Sequence, residues 1–193
     1  MAKYLILLIA AACLLSGCAK KQQFEPKPIC MAGADVNSVM LEAEKALIRM
    51  NFVIEKYDVD RGIVRTRPLA GGQFFEVWRQ DNRGGYNKGM ADLHSIQRTA
   101  ELKFLENSGQ ICINCNVKLE RLSIPEKEID SSARAYAMFS ESKEENQTLK
   151  LNKQQKEKMD WVNLGRDNSL EDYILKKVEK RLNKLNKLKK VKK

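Results

Sequence analysis

Hydrophobic residues recur at helical spacing after Asp35 and again towards the end of the chain. In the first segment they fall on one face of a helix from Val36 to Met50, and Asp35 can cap its start. In the second segment Ser169 can cap a helix, with Asp172 completing a capping box. Its apolar row is Leu170, Tyr173, Ile174, Val178, Leu182, Leu185 and Leu188. The pattern therefore predicts an N-terminal and a C-terminal helix, each with one buried face.

Between these helices the apolar residues alternate with polar ones, which is typical of strands. We predict two hairpins: Phe52–Tyr57 with Ile63–Arg67, and Leu93–Leu105 with Ile111–Ile124. The last strand places five residues on one face, namely Ile111, Ile113, Cys115, Val117 and Leu119. The order predicts an α+β fold in which a four-stranded antiparallel sheet has one face covered by the N-terminal and the C-terminal helix.

Two stretches have no clear period. Residues 69–92 contain Phe74, Phe75 and Trp78 next to Arg79, and these aromatic residues are either a core plug or an exposed patch of partner contacts. Residues 126–160 are rich in Lys, Glu, Gln, Ser and Asn, so we expect a polar, flexible segment there.

The N-terminus begins with an apolar segment that follows one positive charge. Lys3 precedes the stretch from Tyr4 to Leu15, and the chain becomes polar after Cys18. This segment of about a dozen residues is shorter than the roughly 20 that a membrane-spanning helix needs. Positive charge, apolar stretch and small residues in this order are features of a secretory signal.

The end of that segment, Leu15-Ser16-Gly17-Cys18, resembles the lipobox of bacterial lipoproteins. The resemblance implies a signal peptide at 1–17, a lipid on the Cys18 sulfur, and a lipidated tether at 18–34. Ala19 rather than Asp follows Cys18, which by resemblance to lipoprotein sorting implies the outer membrane, facing the periplasm, in a host with two membranes. An ordinary signal peptide and an uncleaved anchor are the alternatives.

The formal net charge of +10 is concentrated at one end of the chain. Residues 176–193 carry +9, and the rest of the chain carries +1. A near-neutral body and export both argue against a nucleic-acid partner. The basic end forms an amphipathic helix whose candidate contacts are Lys184, Lys187, Lys189 and Lys190, suited to an anionic lipid, a glycan or an envelope protein. The alternative is a frayed, solvated helix end.

Three cysteines remain after the lipidated one. Cys112 and Cys115 have the C-x-x-C spacing, but on a strand an offset of three places them on opposite faces, which disfavours metal or redox chemistry. Cys115 suits the core, and Cys30 could pair with Cys112 in a structural disulfide. Three thiols cannot all pair within one chain, so the sequence leaves their state open.

The sequence lacks a recognisable catalytic constellation. His94 is the single histidine, and its neighbours Ser95 and Asp92 alternate along a strand, so the three cannot form a triad easily. The glycines between Gly84 and Gly89 lack phosphate-loop spacing. We therefore expect no enzyme activity, no metal and no cofactor other than the covalent lipid on Cys18.

These features predict a membrane-anchored envelope lipoprotein with a non-catalytic structural or assembly role. The order of elements is similar in outline to small lipoproteins that assist assembly of the outer membrane and of lipopolysaccharide. The rival prediction is a binder of a small ligand or polyanion, with Arg65, Arg67 and Arg79 converging in a cavity.

Overall fold

An antiparallel sheet of seven strands lies at the centre of the part of the chain that the structure describes. This structure is a computed structural model, and it describes residues 24–72, 76, 78–79, 81, 89–91, 94–123, 153 and 157–191, with side chains as far as 187. The main elements are β1 (Ile29–Ala32), α1 (Val36–Arg49), β2 (Ile54–Asp58), β3 (Ile63–Thr66), β4 (Leu69–Ala70), β5 (Ile96–Asn107), β6 (Gln110–Ser123), β7 (Asp160–Arg166) and α2 (Asn168–Val191).

The hairpin of β5 and β6 organises the sheet. Its register runs from Ile96 opposite Arg121 to Asn107 opposite Gln110, and its turn places Ser108 and Gly109 at positive φ. The strand order is β1-β6-β5-β3-β2. The short β4 pairs with β5 beyond β3, and β7 pairs with β6 beyond β1. The outer edges of β5 and β6 are thus each shared by two short strands.

One face of this sheet forms the core with both helices. Alternate residues of β5 and β6 are buried on that face, among them Leu102, Phe104, Ile113 and Val117. Apolar residues of both helices join the same cluster, including Leu47 and Ile174. The predicted α+β class and the helical cover of one face are therefore confirmed.

The predicted number of strands is wrong, because β1, β4 and β7 were not expected. β1 lies within the predicted tether, where Pro26 and Pro28 obscure a four-residue strand. β4 has only two residues and directly follows Pro68. β7 is exposed along nearly its whole length, so it lacks the alternation of polar and apolar residues that identifies a half-buried strand.

The helix starts follow capping chemistry. The Asp35 carboxylate accepts from the Ser38 amide at 2.9 Å, as predicted. The cap of α2 is Asp167 rather than Ser169, since the Asp167 carboxylate accepts from the Leu170 amide at 3.1 Å. Ser169 lies within the first turn of α2.

Some predicted segments lie outside the described residues. These are the signal peptide, the first part of the tether, and most of the polar segment 126–160. Among the described residues, no helix combines the length and the apolar character that crossing a bilayer requires.

Candidate functional site

A groove of about 670 Å³ lies between the C-terminal half of α1 and the middle of α2. We call it the basic groove. It is lined by Glu42, Ala46, Arg49, Met50, Lys177, Lys180, Arg181, Lys184 and Leu185. Lys177, Lys180 and Lys184 follow one another at helical spacing, so they share one face of α2. Buried Ala46 and Met50 and half-buried Leu185 supply its apolar surface.

Glu42 joins the two helices at this groove. Its carboxylate accepts hydrogen bonds from Lys45 Nζ and Arg181 Nε, each at 2.9 Å, and Arg181 Nη2 lies 2.7 Å away. Burial raises the pKa of the Glu42 carboxyl, but the bonds from Lys45 and Arg181 outweigh it and leave the pKa below its ordinary value. The Glu42 carboxylate is thus already paired with basic side chains of the protein itself.

A chain of buried charges lies at the start of α2. Arg98 is fully buried on the core face of β5, and its Nε donates to the Asp167 carboxylate at 2.9 Å. Asp81 lies 3.5 Å from Arg98 Nη1 and also accepts two hydrogen bonds from Arg79, at 2.8 and 2.9 Å. Arg79 donates further to the Ala70 carbonyl. This network connects β4, β5, Arg79 and Asp81 to the cap of α2.

Glu171, in the first turn of α2, covers the edge of β6 between β1 and β7. Its carboxylate accepts from the Val117 amide at 2.8 Å, and the Val117 carbonyl accepts from the Asp167 amide at 2.9 Å. Arg166 binds both Glu171 oxygens, at 2.9 and 2.7 Å. This pairing raises the pKa of the Arg166 guanidinium. Polar groups of a helix end therefore replace a missing strand neighbour.

The cysteines have separate places in the sheet. Cys30 of β1 lies directly opposite Cys112 of β6, and the two form a disulfide, which is the pairing the sequence left open. Cys115 lies on the core face, opposite to the face of Cys112, and is a buried free thiol. Burial raises the pKa of this thiol well above its ordinary value. The prediction that the two residues of the C-x-x-C spacing lie on opposite faces is confirmed.

The second face of the sheet is polar and open. Its charges are paired locally: Arg65 with Glu55 at 3.0 Å, and Lys118 with Glu120 at 2.5 Å. Arg65 lines a shallow depression on this face, whereas Arg79 belongs to the buried network. The structure thus does not bring together Arg65 and Arg79, which the rival prediction gave as an example of polar groups converging in a cavity.

The predicted partner contacts have different environments. Trp78 is 66% exposed, so for this residue the exposed alternative holds and the core plug is wrong. Arg79 is held in the buried network instead of facing a partner. Lys184 and Lys187 are exposed on α2. Phe74 and Phe75, the side chains of Lys189 and Lys190, and the lipidation candidate Cys18 lie outside the described residues.

Sequence reasoning missed the α1 side of the basic groove. Arg49 was not singled out, and of the predicted contacts on the basic helix that the structure describes, only Lys184 lines the groove. The approach of α1 to α2 depends on tertiary packing, so no local signal could have revealed it.

The described residues contain no cluster of His, Cys, Asp and Glu that could hold a metal ion. His94 lies just before β5, where its amide donates to the Met90 carbonyl at 3.0 Å. Comparison with known proteins adds no relative: no family model, curated protein or solved structure matches the chain.

Proposed function

We propose that the protein is a lipid-anchored component of the bacterial envelope with a non-catalytic structural or assembly role. The observation that carries the proposal is Leu15-Ser16-Gly17-Cys18 at the end of a short apolar segment. The anchor would be a thioether-linked lipid on Cys18, and the folded body would lie in the aqueous space beside the membrane. In a host with two membranes, Ala19 and Lys20 favour the outer membrane.

The disulfide between Cys30 and Cys112 supports export. Disulfides persist in oxidising compartments such as the bacterial periplasm and are rare in the cytosol. Strand pairing and the disulfide hold β1 against β6, so the point where the tether joins the body is fixed.

Exposed Trp78 supports a contact role. Tryptophan is enriched among residues that dominate protein interfaces, and this one is 66% exposed. A partner protein of the envelope would bury it.

The anchor is tested on protein isolated from membranes of its host. Intact mass should correspond to a chain that starts at Cys18 and carries acyl groups, and Cys18→Ser should prevent lipidation and processing at this site. Protein with an intact Met1 start, or with a free thiol at position 18, contradicts the proposal.

The contact role is tested with a photocrosslinking amino acid in place of Trp78 in intact cells. The control is the same amino acid in place of Lys103, which is exposed on the polar face of the sheet. An envelope protein captured from position 78 but not from 103 supports an assembly role. Capture of the same set from both positions, or of no protein, contradicts it.

A second candidate function is the binding of anionic lipid or glycan. The basic groove favours it, because Arg49, Lys177, Lys180 and Lys184 line one cavity that also has apolar surface.

A further inference from the structure

We infer that the basic groove binds the headgroups of anionic phospholipids at the surface of a bilayer. The inference deepens the second candidate function, on which it rests, by naming the ligand and the residues that hold it. It is independent of whether Cys18 carries a lipid, so the two can fail separately.

The charge of the groove selects an anion. Five of its described lining residues are basic, namely Arg49, Lys177, Lys180, Arg181 and Lys184. Glu42 is the acid in this lining, and Lys45 and Arg181 already bind its carboxylate. The cavity therefore presents a net positive charge, and each basic residue near an anionic bilayer adds to the attraction.

The apolar part of the groove favours a lipid over a soluble polyanion. Half-buried Leu185 lines the cavity beside the cations, while Ala46 and Met50 are nearly fully buried in the same lining. Next to Arg49, the side chain of Ile48 is 52% exposed. A free phosphate gains nothing from these groups, whereas the glycerol and upper acyl region of a phospholipid can contact them. Basic and apolar residues side by side are typical of helices that lie in a membrane interface.

The position of the groove relative to the tether fits the same bilayer. The Asn168 side-chain amide donates to the Phe24 carbonyl, so the chain enters the body beside the start of α2. Phe24 is the sixth residue after Cys18, a reach of about 20 Å for an extended chain. Lys177 lies nine residues further along α2 than Asn168, about 14 Å at the rise of a helix. A body lying along the membrane therefore makes two attachments, at the tether and at the groove.

The test is native mass spectrometry of the full-chain protein in neutral detergent, with phosphatidylglycerol or phosphatidylcholine added in equal amounts. The wild type should retain phosphatidylglycerol preferentially. The variant Lys180→Gln/Lys184→Gln should retain about thirtyfold less, since two groove charges are lost. The matched control is Lys103→Gln/Lys176→Gln, which removes two exposed lysines that do not line the groove and should retain phosphatidylglycerol at the wild-type level.

Three results would overturn the inference. They are equal retention of the two lipids by the wild type, an equal loss in groove and control variants, and full displacement of phosphatidylglycerol by millimolar inorganic phosphate, which would indicate a site for free anions. Circular dichroism checks that each variant is folded, and Lys180→Gln alone replaces the pair if the pair unfolds. The intact mass reports the state of Cys18 in the same experiment, so an unlipidated protein that still selects phosphatidylglycerol contradicts the anchor and supports the groove.

Discussion

At the scale of single residues, buried charges decide how α2 meets the sheet. Arg98 is fully buried, and an ionised group there is tolerated because Asp167 and Asp81 accompany it. Asp167 has a second task, since its other carboxylate oxygen caps the helix. One side chain thus couples the start of a helix to the centre of the sheet.

Asp167→Asn separates these two tasks, because asparagine also caps helices well. The variant leaves Arg98 with a weakened set of partners. We expect a loss of about 3 kcal/mol in the free energy of unfolding, at the low end for a broken buried pair because Asp81 remains 3.5 Å away. Urea denaturation measures it.

The control for that substitution is Asp172→Asn. Asp172 pairs with Lys176 at 2.6 Å on the exposed side of the same helix, so its replacement should cost at most about 1 kcal/mol. Equal losses in the two variants would show that the buried pair contributes no more to the free energy of unfolding than the exposed pair.

Glu42 predicts a pH dependence. Its pKa is lowered in the folded protein, so its contribution to stability is complete above the unfolded value of about 4.3 and is lost as the pH falls through the folded value. Glu42→Gln should therefore destabilise the protein at pH 7, and the difference from wild type should shrink as the pH falls below about 4. Thermal unfolding of both proteins across that range checks this, and a difference that grows on acidification contradicts it.

At the scale of elements, β6 is completed along one edge by three different pieces. β1 pairs with Gln110–Ile113, β7 pairs with Lys118–Ser123, and the start of α2 satisfies Val117 between them. β1 has only four residues, so the disulfide to Cys112 is what makes its attachment durable.

Removal of that disulfide, by Cys30→Ser/Cys112→Ser, should destabilise the protein by about 4 to 5 kcal/mol. The reason is the loop-closure entropy for a sequence separation of 82 residues. Denaturation with and without reductant measures it. Cys115→Ala is the control, because this buried thiol has no disulfide partner and its variant should respond to reductant as the wild type does. A wild type equally stable in reductant would contradict the prediction.

The long elements could be predicted because their burial is periodic. α1, the β5–β6 hairpin and α2 each alternate between buried and exposed positions in the period of their own geometry. The capping residue of α2 was mistaken because Ser169 and Asp167 both suit a cap, and only the tertiary contact with Arg98 favours Asp167.

The short strands and the candidate site could not be predicted in the same way. A strand as short as β4 has no period, and its pairing with β5 depends on residues about 28 positions away. The basic groove likewise forms where two helices that are distant in sequence come together. The sequence indicated the basic character of α2 but not the residues of α1 that line the other side of the groove.

At the scale of the whole molecule, the basic charge of α2 extends past its packed part. Among the side chains of this helix that the structure describes, which end at Lys187, Leu182 is the last buried one. Six basic residues and no acidic residue follow Leu182. The first part of α2 belongs to the same apolar cluster as the sheet and α1.

Hydrogen exchange should reveal this division. Backbone amides from Ile174 to Leu182 should exchange about as slowly as those of β5 and β6, because they open only when the shared core unfolds. Amides from Asn183 to Lys187 should exchange much faster, since most of these side chains are exposed and a helix segment with little packing is marginal in water. Uniform protection along α2 in the isolated protein would contradict this picture.

The bridge from β1 to β6 also makes the protein depend on where it folds. Glutathione-rich cytosol keeps such cysteines as thiols, so if the protein is exported as proposed, a copy that awaits translocation would lack several kilocalories of its final stability. A loosely folded precursor is easier to thread through a secretion channel and easier for proteases to remove if export fails. Oxidation after crossing would then add the stability of the disulfide only on the far side of the membrane.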